Sequence, residues 1–359
     1  MKVAFLTTTL EETIGWGRYA AGFLAEARRR NGRENVVAPN PARLRSSEIR
    51  WKQPFLALLD ALVLQEEVKS CDVIHAATEP VAPLAMMLSF WTGKPYVLSA
   101  HGTYSDAMTY PWYLRWLYTL SFRRASRILA VSRYTAEVVS RTFKAQAVEI
   151  VHGGFSIVPR SLEKRALSAD HRVLSVGAIK SRKGFHTLVE AFGLLKRKDF
   201  TFKAECVGPK DSSSYVERLE KRVRELGLEE RVVFHGRVSE EALQRFYADT
   251  DLFVLPSEHS GTAFEGLGLV YLEAMAQGVP VIGCLDSGAE DVVRDGVNGR
   301  LVTPGDAEAL AAAIKEIFDD PVAWEKMATA APESIERFRW ENVGADMDAA
   351  YKTVVNERS

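Results

Sequence analysis

Short apolar runs rich in β-branched residues alternate with longer amphipathic stretches along the whole chain. The first half holds six such runs, at residues 2–8, 35–39, 72–77, 96–101, 127–132 and 148–154. The second half holds six more, at residues 173–179, 202–208, 231–238, 252–257, 279–284 and 299–304. Stretches with helical periodicity separate them, for example 16–30, 55–68, 185–198 and 214–227. Because the strands are almost continuously apolar, the alternation predicts parallel sheets covered by helices on both faces.

The alternation is interrupted once, at residues 156–171, which carry a proline and many charges. We place a linker there, and predict two domains at residues 1–160 and 170–335. Each is expected to be a doubly wound, Rossmann-like α/β domain. A final helix at about 339–356 follows the second sheet and is expected to pack back on the first domain. Two such domains imply a cleft, and ligands of these sheets bind at the carboxyl ends of the strands.

Composition and charge exclude several classes of protein. The net charge of the 359-residue chain is -1, which argues against a nucleic-acid partner. Cys71, Cys206 and Cys284 lie in or beside apolar runs without disulfide-framework spacing, so we expect reduced thiols in a cytoplasmic protein. The apolar stretch at the start is too short for a signal peptide. The longest apolar run, residues 81–91, is too short to span a bilayer.

The charge is unevenly distributed along the chain. Residues 1–160 hold 20 lysines and arginines against 13 acidic residues. This surplus favours an anionic acceptor or lipid surface, and uneven surface charge is the alternative. Within it, residues 110–127 mix aromatic residues such as Trp112 and Trp116 with several arginines. Two interpretations stay open: a peripheral helix on the inner face of the membrane, or a helix that packs its aromatic residues inward.

The clearest candidate site is a pair of glutamates in an apolar segment. Glu265 and Glu273 flank Gly266 and Gly268, which follow a predicted strand and precede a predicted helix at 269–278. The exposed amides at a helix start suit a phosphate group. An offset of eight residues rotates by about 80° in a helix, so both carboxylates are expected to face one cleft. Carboxylates accept hydrogen bonds from the hydroxyls of a sugar or a ribose.

A basic loop follows the first strand of the second domain. Lys180, Arg182 and Lys183 cluster there, at the strand end where a diphosphate would need cations. A solvated basic loop is the alternative. We favour phosphate binding for Lys183, because this loop is expected to share a sheet edge with the loop of Glu265.

The first domain offers two weaker candidates. Gly15 and Gly17 are placed between the first strand and its helix, in a loop that suits a phosphate or a bound sugar. The spacing is not the dinucleotide fingerprint, because the third glycine, Gly22, comes too late. His101 ends a predicted strand and could enter the cleft, and a structural hydrogen-bonding role is the alternative.

Asp249 and Asp251 have a spacing that could hold a divalent metal bound to a diphosphate. They precede a strand, at the opposite end of the sheet from the candidate site. We therefore predict no metal site and no cofactor.

At these motifs the chain resembles the retaining nucleotide-sugar glycosyltransferases of family four, which have the two-Rossmann GT-B architecture. The resemblance depends chiefly on the spacing of Glu265 and Glu273 in FEGLGLVYLEAMAQGVPVIG, followed by VRDGVNGRLV. The segments VGAIKSRKG, CVGPKD, VVFHGRVSEEALQRFYADTDLFVLPS and AVSRYTAEVV also match in order. The resemblance covers nearly the whole chain. It is strongest at 171–317 and weakest at 35–125, where such enzymes hold their variable acceptor site.

The resemblance implies a role for each matching residue, and it assigns catalysis to Glu265, Lys183 and His101. The implied donor contacts are Glu265 with the sugar hydroxyls, the amides of Gly266, Leu267, Gly268 and Leu269 with sugar or phosphate, Glu273 with the ribose, Lys183 and Gly15 with the diphosphate, and backbone at Val238 with the nucleobase. Gly17, Lys180 and Arg182 join this set from their positions in the two loops.

The chain departs from the family pattern at several positions. Where the family usually has an arginine after the strand glycine, this chain has Ala178. Either Lys180 or Arg182 substitutes for it, or the leaving group is less well stabilised. The further departures are Gly153 in place of an asparagine, Ser156 in place of an aspartate, and Trp16 within the glycine loop.

The implied activity is metal-independent transfer of a hexose from a UDP-, GDP- or ADP-sugar to a hydroxyl of a glycan or lipid-linked acceptor, in polysaccharide, glycolipid or glycoconjugate biosynthesis. Two alternatives stay open. A nucleotide-sugar epimerase shares the architecture, and it would convert the donor without an acceptor. A non-catalytic subunit would bind the sugar nucleotide without turnover.

Overall fold

The computed structural model describes residues 1–11, 15–44, 49, 52–155, 166–210 and 213–357 of the chain. It divides into two compact units, one formed by Met1–Gly154 with Phe338–Ser359 and the other by Phe155–Arg337. Most of the predicted linker lies outside the described residues, as does Ser156.

Twelve strands and thirteen helices alternate along the described chain. The strands are β1 (Val3–Leu6), β2 (Val36–Val37), β3 (Val73–Ala76), β4 (Tyr96–Ala100), β5 (Arg127–Ala130), β6 (Val148–Ile150), β7 (Arg172–Val176), β8 (Lys203–Val207), β9 (Val232–Gly236), β10 (Leu252–Val254), β11 (Val281–Cys284) and β12 (Gly299–Val302). The helices are α1 (Gly15–Asn31), α2 (Gln53–Lys69), α3 (Ala82–Thr92), α4 (Trp112–Arg124), α5 (Arg133–Phe143), α6 (Phe185–Arg197), α7 (Ser213–Glu225), α8 (Glu240–Ala248), α9 (Leu269–Ala276), α10 (Ala289–Val292), α11 (Ala307–Asp319), α12 (Pro321–Ser334) and α13 (Trp340–Asn356).

Each unit contains one parallel sheet of six strands. The first sheet has the order β2-β1-β3-β4-β5-β6, and the second has the order β12-β11-β10-β7-β8-β9. Every strand pair in both sheets is parallel. The predicted fold class, two doubly wound α/β domains, is confirmed.

The order of the strands determines where a ligand site can form. In the second sheet the chain runs from β7 outward through β8 and β9, and then returns to place β10 on the other side of β7. The connections that leave β7 and β10 therefore run in opposite directions across the sheet. A crevice opens at the carboxyl ends of two strands where the order reverses in this way.

Buried apolar strands explain why these segments pair. All four residues of β1 and of β3 are buried, as are those of β11. Helices cover each sheet, and the side chains between the layers form one large apolar core in each unit. Polar side chains fix several helix starts: the Ser132, Ser239 and Asp306 side chains accept hydrogen bonds from amides in the first turns of α5, α8 and α11.

The last helix, α13, belongs to the first unit and packs against α1, β3 and β5. Its Tyr351 hydroxyl lies 2.6 Å from Nδ1 of the fully buried His75, whose Nε2 lies 2.8 Å from the Ser99 hydroxyl. Burial, together with the nearby His101, lowers the pKa of His75 to about 3, so the imidazole is neutral in the folded protein.

In the described parts of the chain, no helix combines the length and the apolar character that crossing a bilayer requires. The longest apolar run of the sequence forms α3 and the turn before it. That helix has 11 residues, and its first half is buried against the neighbouring helices and the sheet.

Candidate functional site

The loops after β7 and β10 meet at the carboxyl edge of the second sheet. A short 3-10 turn, Ser181–Lys183, follows β7 and ends at Gly184, which has a φ of 69°. A Cβ atom on Gly184 would lie 1.8 Å from the carbonyl oxygen of Pro256 in the loop after β10. Glycine is required here both by the left-handed backbone and by the contact. The two loops are thus held together by their backbones.

The Lys183 ammonium group donates a hydrogen bond to Glu265 Oε2, and both residues are only 9% exposed. The Ser257 hydroxyl donates a second hydrogen bond to the same oxygen, at 3.1 Å. Arg182 Nη1 lies 3.8 Å from it. The structure therefore brings together the lysine and the glutamate that the sequence placed on two different loops.

The charges of this cluster are strongly coupled. Burial opposes ionisation of Glu265, but the charges of Lys183 and Arg182, with the hydrogen bonds from Lys183 and Ser257, outweigh it and hold the Glu265 pKa below its usual range. Burial lowers the pKa of Lys183, and the charge of Glu265 opposes that shift. A buried ion pair keeps its charges only while each partner is compensated. An arriving anion would therefore compete with Glu265 for Lys183.

The glycine turn after Glu265 corrects one argument made from the sequence. Gly268 is left-handed, with a φ of 82°, and α9 begins only at Leu269. Glu265 thus lies outside the helix, and Glu273 lies in its second turn. The eight-residue offset is not a helical rotation, so it does not decide how the two carboxylates point. The amides before and at the start of α9 stay a predicted phosphate site.

Glu273 is 7% exposed and is held by a different partner from Glu265. The hydroxyl of Tyr247, a fully buried residue near the end of α8, donates a hydrogen bond of 2.7 Å to Glu273 Oε2. One oxygen of the carboxylate is therefore oriented by the protein. A buried carboxylate on a short, otherwise apolar helix is costly unless such contacts compensate it.

The remaining donor candidates of the second unit lie in loops at the same edge. Lys180 is partly buried and precedes the 3-10 turn after β7. Ala178 is also partly buried, at the position where the family usually has an arginine. Val238 lies just after β9 and directly before Ser239, which caps α8. Gly266 and Leu267 are buried in the turn before α9.

In the first unit, His101 directly follows β4, as predicted. Its Nε2 lies 2.7 Å from the carbonyl oxygen of Ala77, so Nε2 carries the proton and donates. Its amide donates to Oε1 of the buried Glu79 at 2.7 Å, and its ring stacks on Tyr19 at 4.9 Å. Nδ1 is buried and has no hydrogen-bond partner among the described residues.

Gly15 and Gly17 are not in a loop, which corrects the sequence prediction. Both belong to the first turn of α1. A Cβ atom on Gly17 would lie 2.1 Å from the carbonyl oxygen of Glu11, so the helix start packs directly on the preceding backbone. Trp16, between the two glycines, stacks on Tyr104 at 5.3 Å with the rings 15° apart. Part of this segment, residues 12–14, lies outside the described residues.

Asp251 has a structural role that explains its position before β10. Its carboxylate accepts hydrogen bonds from the Arg172 amide at 2.7 Å and from the Ser168 amide and hydroxyl. It thereby ties the start of β7 to the start of β10. Within the described residues, no group of three or more histidine, cysteine or acidic side chains is arranged to hold a metal ion.

Sequence reasoning missed three residues of the second-unit site: Ser257, Glu258 and Tyr247. Ser257 was detectable as a polar residue at the end of an apolar strand. The carboxylate of Glu258 accepts a 2.5 Å hydrogen bond from Thr187 on α6, which braces the same loop. Tyr247 carries no local signal, because its hydrogen bond to Glu273 joins residues 26 positions apart along the chain.

Two six-stranded parallel sheets, with this site at the strand ends of the second, define the GT-B class of two-domain α/β proteins. Solved structures show the same fold over almost the whole chain. The Anabaena protein HepE in complex with UDP superposes with a TM-score of 0.79 at 23% identity, over 98% of this chain and 100% of that one. Sucrose-phosphate synthase from Thermosynechococcus elongatus superposes with a TM-score of 0.80 at 22% identity, over 99% and 100%.

Family models match both halves of the chain. The model for glycosyl transferases group 1 matches residues 161–334, and the model for glycosyltransferase family 4 matches residues 16–157. The chain therefore belongs to the group 1 glycosyltransferases of family 4, which confirms the resemblance found in its sequence.

Curated relatives are similar over part of the chain. A GDP-mannose-dependent alpha-(1-6)-phosphatidylinositol monomannoside mannosyltransferase of Mycolicibacterium smegmatis is 31% identical over 62% of this chain and 60% of its own length. An uncharacterised glycosyltransferase of Methanocaldococcus jannaschii is 27% identical over 79% and 76%. A lipopolysaccharide core biosynthesis glycosyltransferase of Rhizobium meliloti is 35% identical over 45% and 44%. The chain thus spans less than two thirds of the length of several of these relatives.

Proposed function

We propose that the protein is a retaining glycosyltransferase that moves a hexose from a nucleoside diphosphate sugar to an acceptor hydroxyl. The observation that carries this proposal is the buried cluster of Lys183, Glu265 and Ser257 beside the amides that start α9. It offers a cation and amides for a diphosphate, and a carboxylate for sugar hydroxyls. Family membership supports the same reaction.

Departure of the nucleoside diphosphate is the demanding step, because negative charge develops on the leaving oxygen. Lys183 and Arg182, with the amides at the start of α9, are the groups of this chain that would stabilise it. The two side chains carry a positive charge, and the amides a partial positive charge, before the reaction begins. Burial strengthens the attraction of these groups for the leaving oxygen. We therefore propose that the transfer needs no metal ion.

The acceptor hydroxyl would attack the anomeric carbon on the face from which the diphosphate leaves, so that the configuration is retained. The leaving phosphate would take the proton of the attacking hydroxyl. Glu265, once its Lys183 contact is released to the diphosphate, would bind the hydroxyls of the transferred sugar. No covalent intermediate on the protein is needed. His101, whose Nδ1 has no hydrogen-bond partner among the described residues, is proposed to contact the transferred sugar.

Glu273 is proposed to hold the ribose hydroxyls, with one of its oxygens fixed by Tyr247. The nucleobase would lie against the backbone near Val238. Relatives support different donors: the Mycolicibacterium enzyme is named for GDP-mannose, and HepE has been crystallised with UDP-glucose. Glycan and lipid-linked acceptors are both represented among the relatives' names.

The proposal is tested first by ligand binding. Purified protein is heated in EDTA with UDP, GDP or ADP, and with UDP-glucose, GDP-mannose or ADP-glucose. We expect one diphosphate to raise the melting temperature, and its sugar to raise it further. A ligand present at about 100 times its dissociation constant stabilises the folded protein by about 2.7 kcal/mol. No shift with any of the six ligands would overturn the proposal.

Incubating the protein with the sugar nucleotide that it binds distinguishes a transferase from an epimerase and from a non-catalytic subunit. A transferase releases diphosphate quickly only when an acceptor such as a lipid-extract or oligosaccharide fraction is added, and Glu265→Ala abolishes that release. Conversion of the donor to an epimer without acceptor would identify an epimerase. Binding with no turnover in any fraction would identify a non-catalytic subunit.

A further inference from the structure

Three neighbouring helices of the first unit expose an apolar surface. α3 packs beside both α2 and α4, and the inner sides of all three contribute to the core over the first sheet. Among the described residues, fifteen large apolar side chains are exposed, and ten of them lie between Phe55 and Leu120. The other five are scattered over separate elements. Single exposed apolar residues are ordinary, whereas a contiguous group indicates a binding surface.

The surface is centred on six side chains that are each more than half exposed. We call this set the aromatic face; its members are Phe55, Leu62 and Val63 of α2, Phe90 of α3, and Trp112 and Trp116 of α4. Trp112 is 81% exposed and Phe90 is 79% exposed. Trp112 and Trp116 are one turn apart and so lie on the same side of α4.

The opposite side of α4 explains why these residues point outward. Leu114, Leu117, Tyr118 and Phe122 are all buried in the core. The aromatic residues of this segment therefore divide between two sides: Tyr118 packs inward, while the two tryptophans face away from the core. The helix has two apolar sides, and only one of them is needed for folding.

The charges around the aromatic face are basic on α4, whereas α2 carries the exposed acidic residues Glu66 and Glu67, of which Glu66 pairs with Lys69. Arg115, Arg123 and Arg124 lie on α4, which contains no acidic residue, and α3 contains no charged residue at all. Arg123 and Arg124 are exposed. A surface that combines tryptophans with arginines is typical of proteins that lie at a membrane interface, where the rings sit at the level of the headgroups.

We propose that the aromatic face docks the protein on an anionic lipid bilayer. Trp112, Trp116 and Phe90 would insert at headgroup level, and Arg123 and Arg124 would contact the lipid phosphates. Anionic lipid satisfies both features of the surface. The proposal concerns binding alone and does not depend on the proposed transfer reaction.

Vesicle cosedimentation tests the proposal without any sugar nucleotide. The full chain is mixed with phosphatidylcholine vesicles and with vesicles that also contain phosphatidylglycerol. We expect sedimentation with the anionic vesicles, weaker sedimentation with the neutral ones, and release by salt. Tryptophan emission should shift to shorter wavelength on binding, and brominated lipid should quench it. Absence of binding to the anionic vesicles overturns the proposal, whatever the transferase assays show.

Two double variants and one control assign the binding to this surface. Trp112→Ser with Trp116→Ser should lower partitioning onto anionic vesicles by about tenfold or more, because the apolar anchors are lost. Arg123→Gln with Arg124→Gln should lower it by about thirtyfold, and only when phosphatidylglycerol is present. Val322→Ser, an exposed apolar residue on α12 of the second unit, should change nothing.

The changed side chains lie on the surface, so circular dichroism is expected to report unchanged folding for each variant. Equal partitioning of the tryptophan variant and the control would overturn the proposal. So would light scattering that shows a dimer which Trp112→Ser with Trp116→Ser converts to a monomer, because the aromatic face would then be an interface between copies.

Discussion

Glu265 and Lys183 should affect diphosphate binding in opposite directions. Lys183 donates a hydrogen bond to Glu265, and Arg182 Nη1 lies 3.8 Å from the same carboxylate oxygen. A diphosphate must take these cations from Glu265. Lys183→Met removes the cation and should weaken binding, whereas Glu265→Gln removes the competing anion and should strengthen it.

The magnitudes follow from the burial of the pair. A hydrogen bond to a charged group contributes about 1.5–3 kcal/mol, so Lys183→Met should weaken binding of UDP or GDP by about tenfold to about 150-fold. A unit charge about 6 Å from the phosphate, at an effective dielectric constant of about 20, contributes about 3 kcal/mol before screening. Glu265→Gln should therefore tighten binding of the bare diphosphate by about tenfold, and abolish the extra affinity supplied by the sugar.

Isothermal titration calorimetry with the diphosphate and its sugar nucleotide measures both effects. Glu190→Gln is the matched control, since Glu190 pairs with Arg222 on the exposed side of α6 and α7. It should leave both affinities unchanged. If Glu265→Gln weakened diphosphate binding as much as Lys183→Met does, the pair would be a structural ion pair and the reasoning would be refuted.

Three further outcomes are expected. Burial lowers the pKa of folded His75 to about 3, whereas in the unfolded chain it binds a proton near pH 6.5, so His75 should lower the unfolding free energy by about 1.4 kcal/mol for each unit that the pH falls between these values. Urea titrations should show this slope as the difference between the wild type and His75→Asn. Tyr247→Phe removes one hydrogen bond from the carboxylate of Glu273 and should raise the dissociation constant of the nucleoside diphosphate by about fivefold to tenfold; an unchanged value would contradict the ribose role. Gly184→Ala should destabilise the protein by more than about 2 kcal/mol in thermal unfolding, whereas Gly236→Ala, which also has a positive φ but nothing near its Cβ position, should cost only about 1 kcal/mol.

The fold could be predicted because its signal is repeated twelve times along the chain. Each β-branched run became a parallel strand, and the period of the pattern decided the type of each element. The meeting of Lys183 with Glu265 could also be predicted in outline, because both follow strands and parallel strands end at one edge. Which strands are neighbours is a long-range property that the sequence does not state. The adjacency of β7 and β10 comes from the structure.

Backbone conformation limited the prediction at the glycines. Gly268 turns left-handed and delays the start of α9 to Leu269, so an argument from helical rotation did not apply to Glu265. Gly17 lies in the first turn of α1, where a Cβ atom would meet the Glu11 carbonyl oxygen. In both cases the sequence showed that glycine was needed but not which contact needed it. Tyr247 escaped notice for a related reason: its partner lies on a helix that is distant in sequence.

The most direct test of the account is a crystal structure of the protein with the nucleotide sugar selected by the melting experiments. We expect the diphosphate to lie within hydrogen-bond distance of Lys183 Nζ and of the amides before and at the start of α9. The ribose hydroxyls should contact Glu273, and Glu265 should have exchanged Lys183 for hydroxyls of the sugar. A donor bound elsewhere, or bound while Lys183 and Glu265 remain paired, would contradict the account.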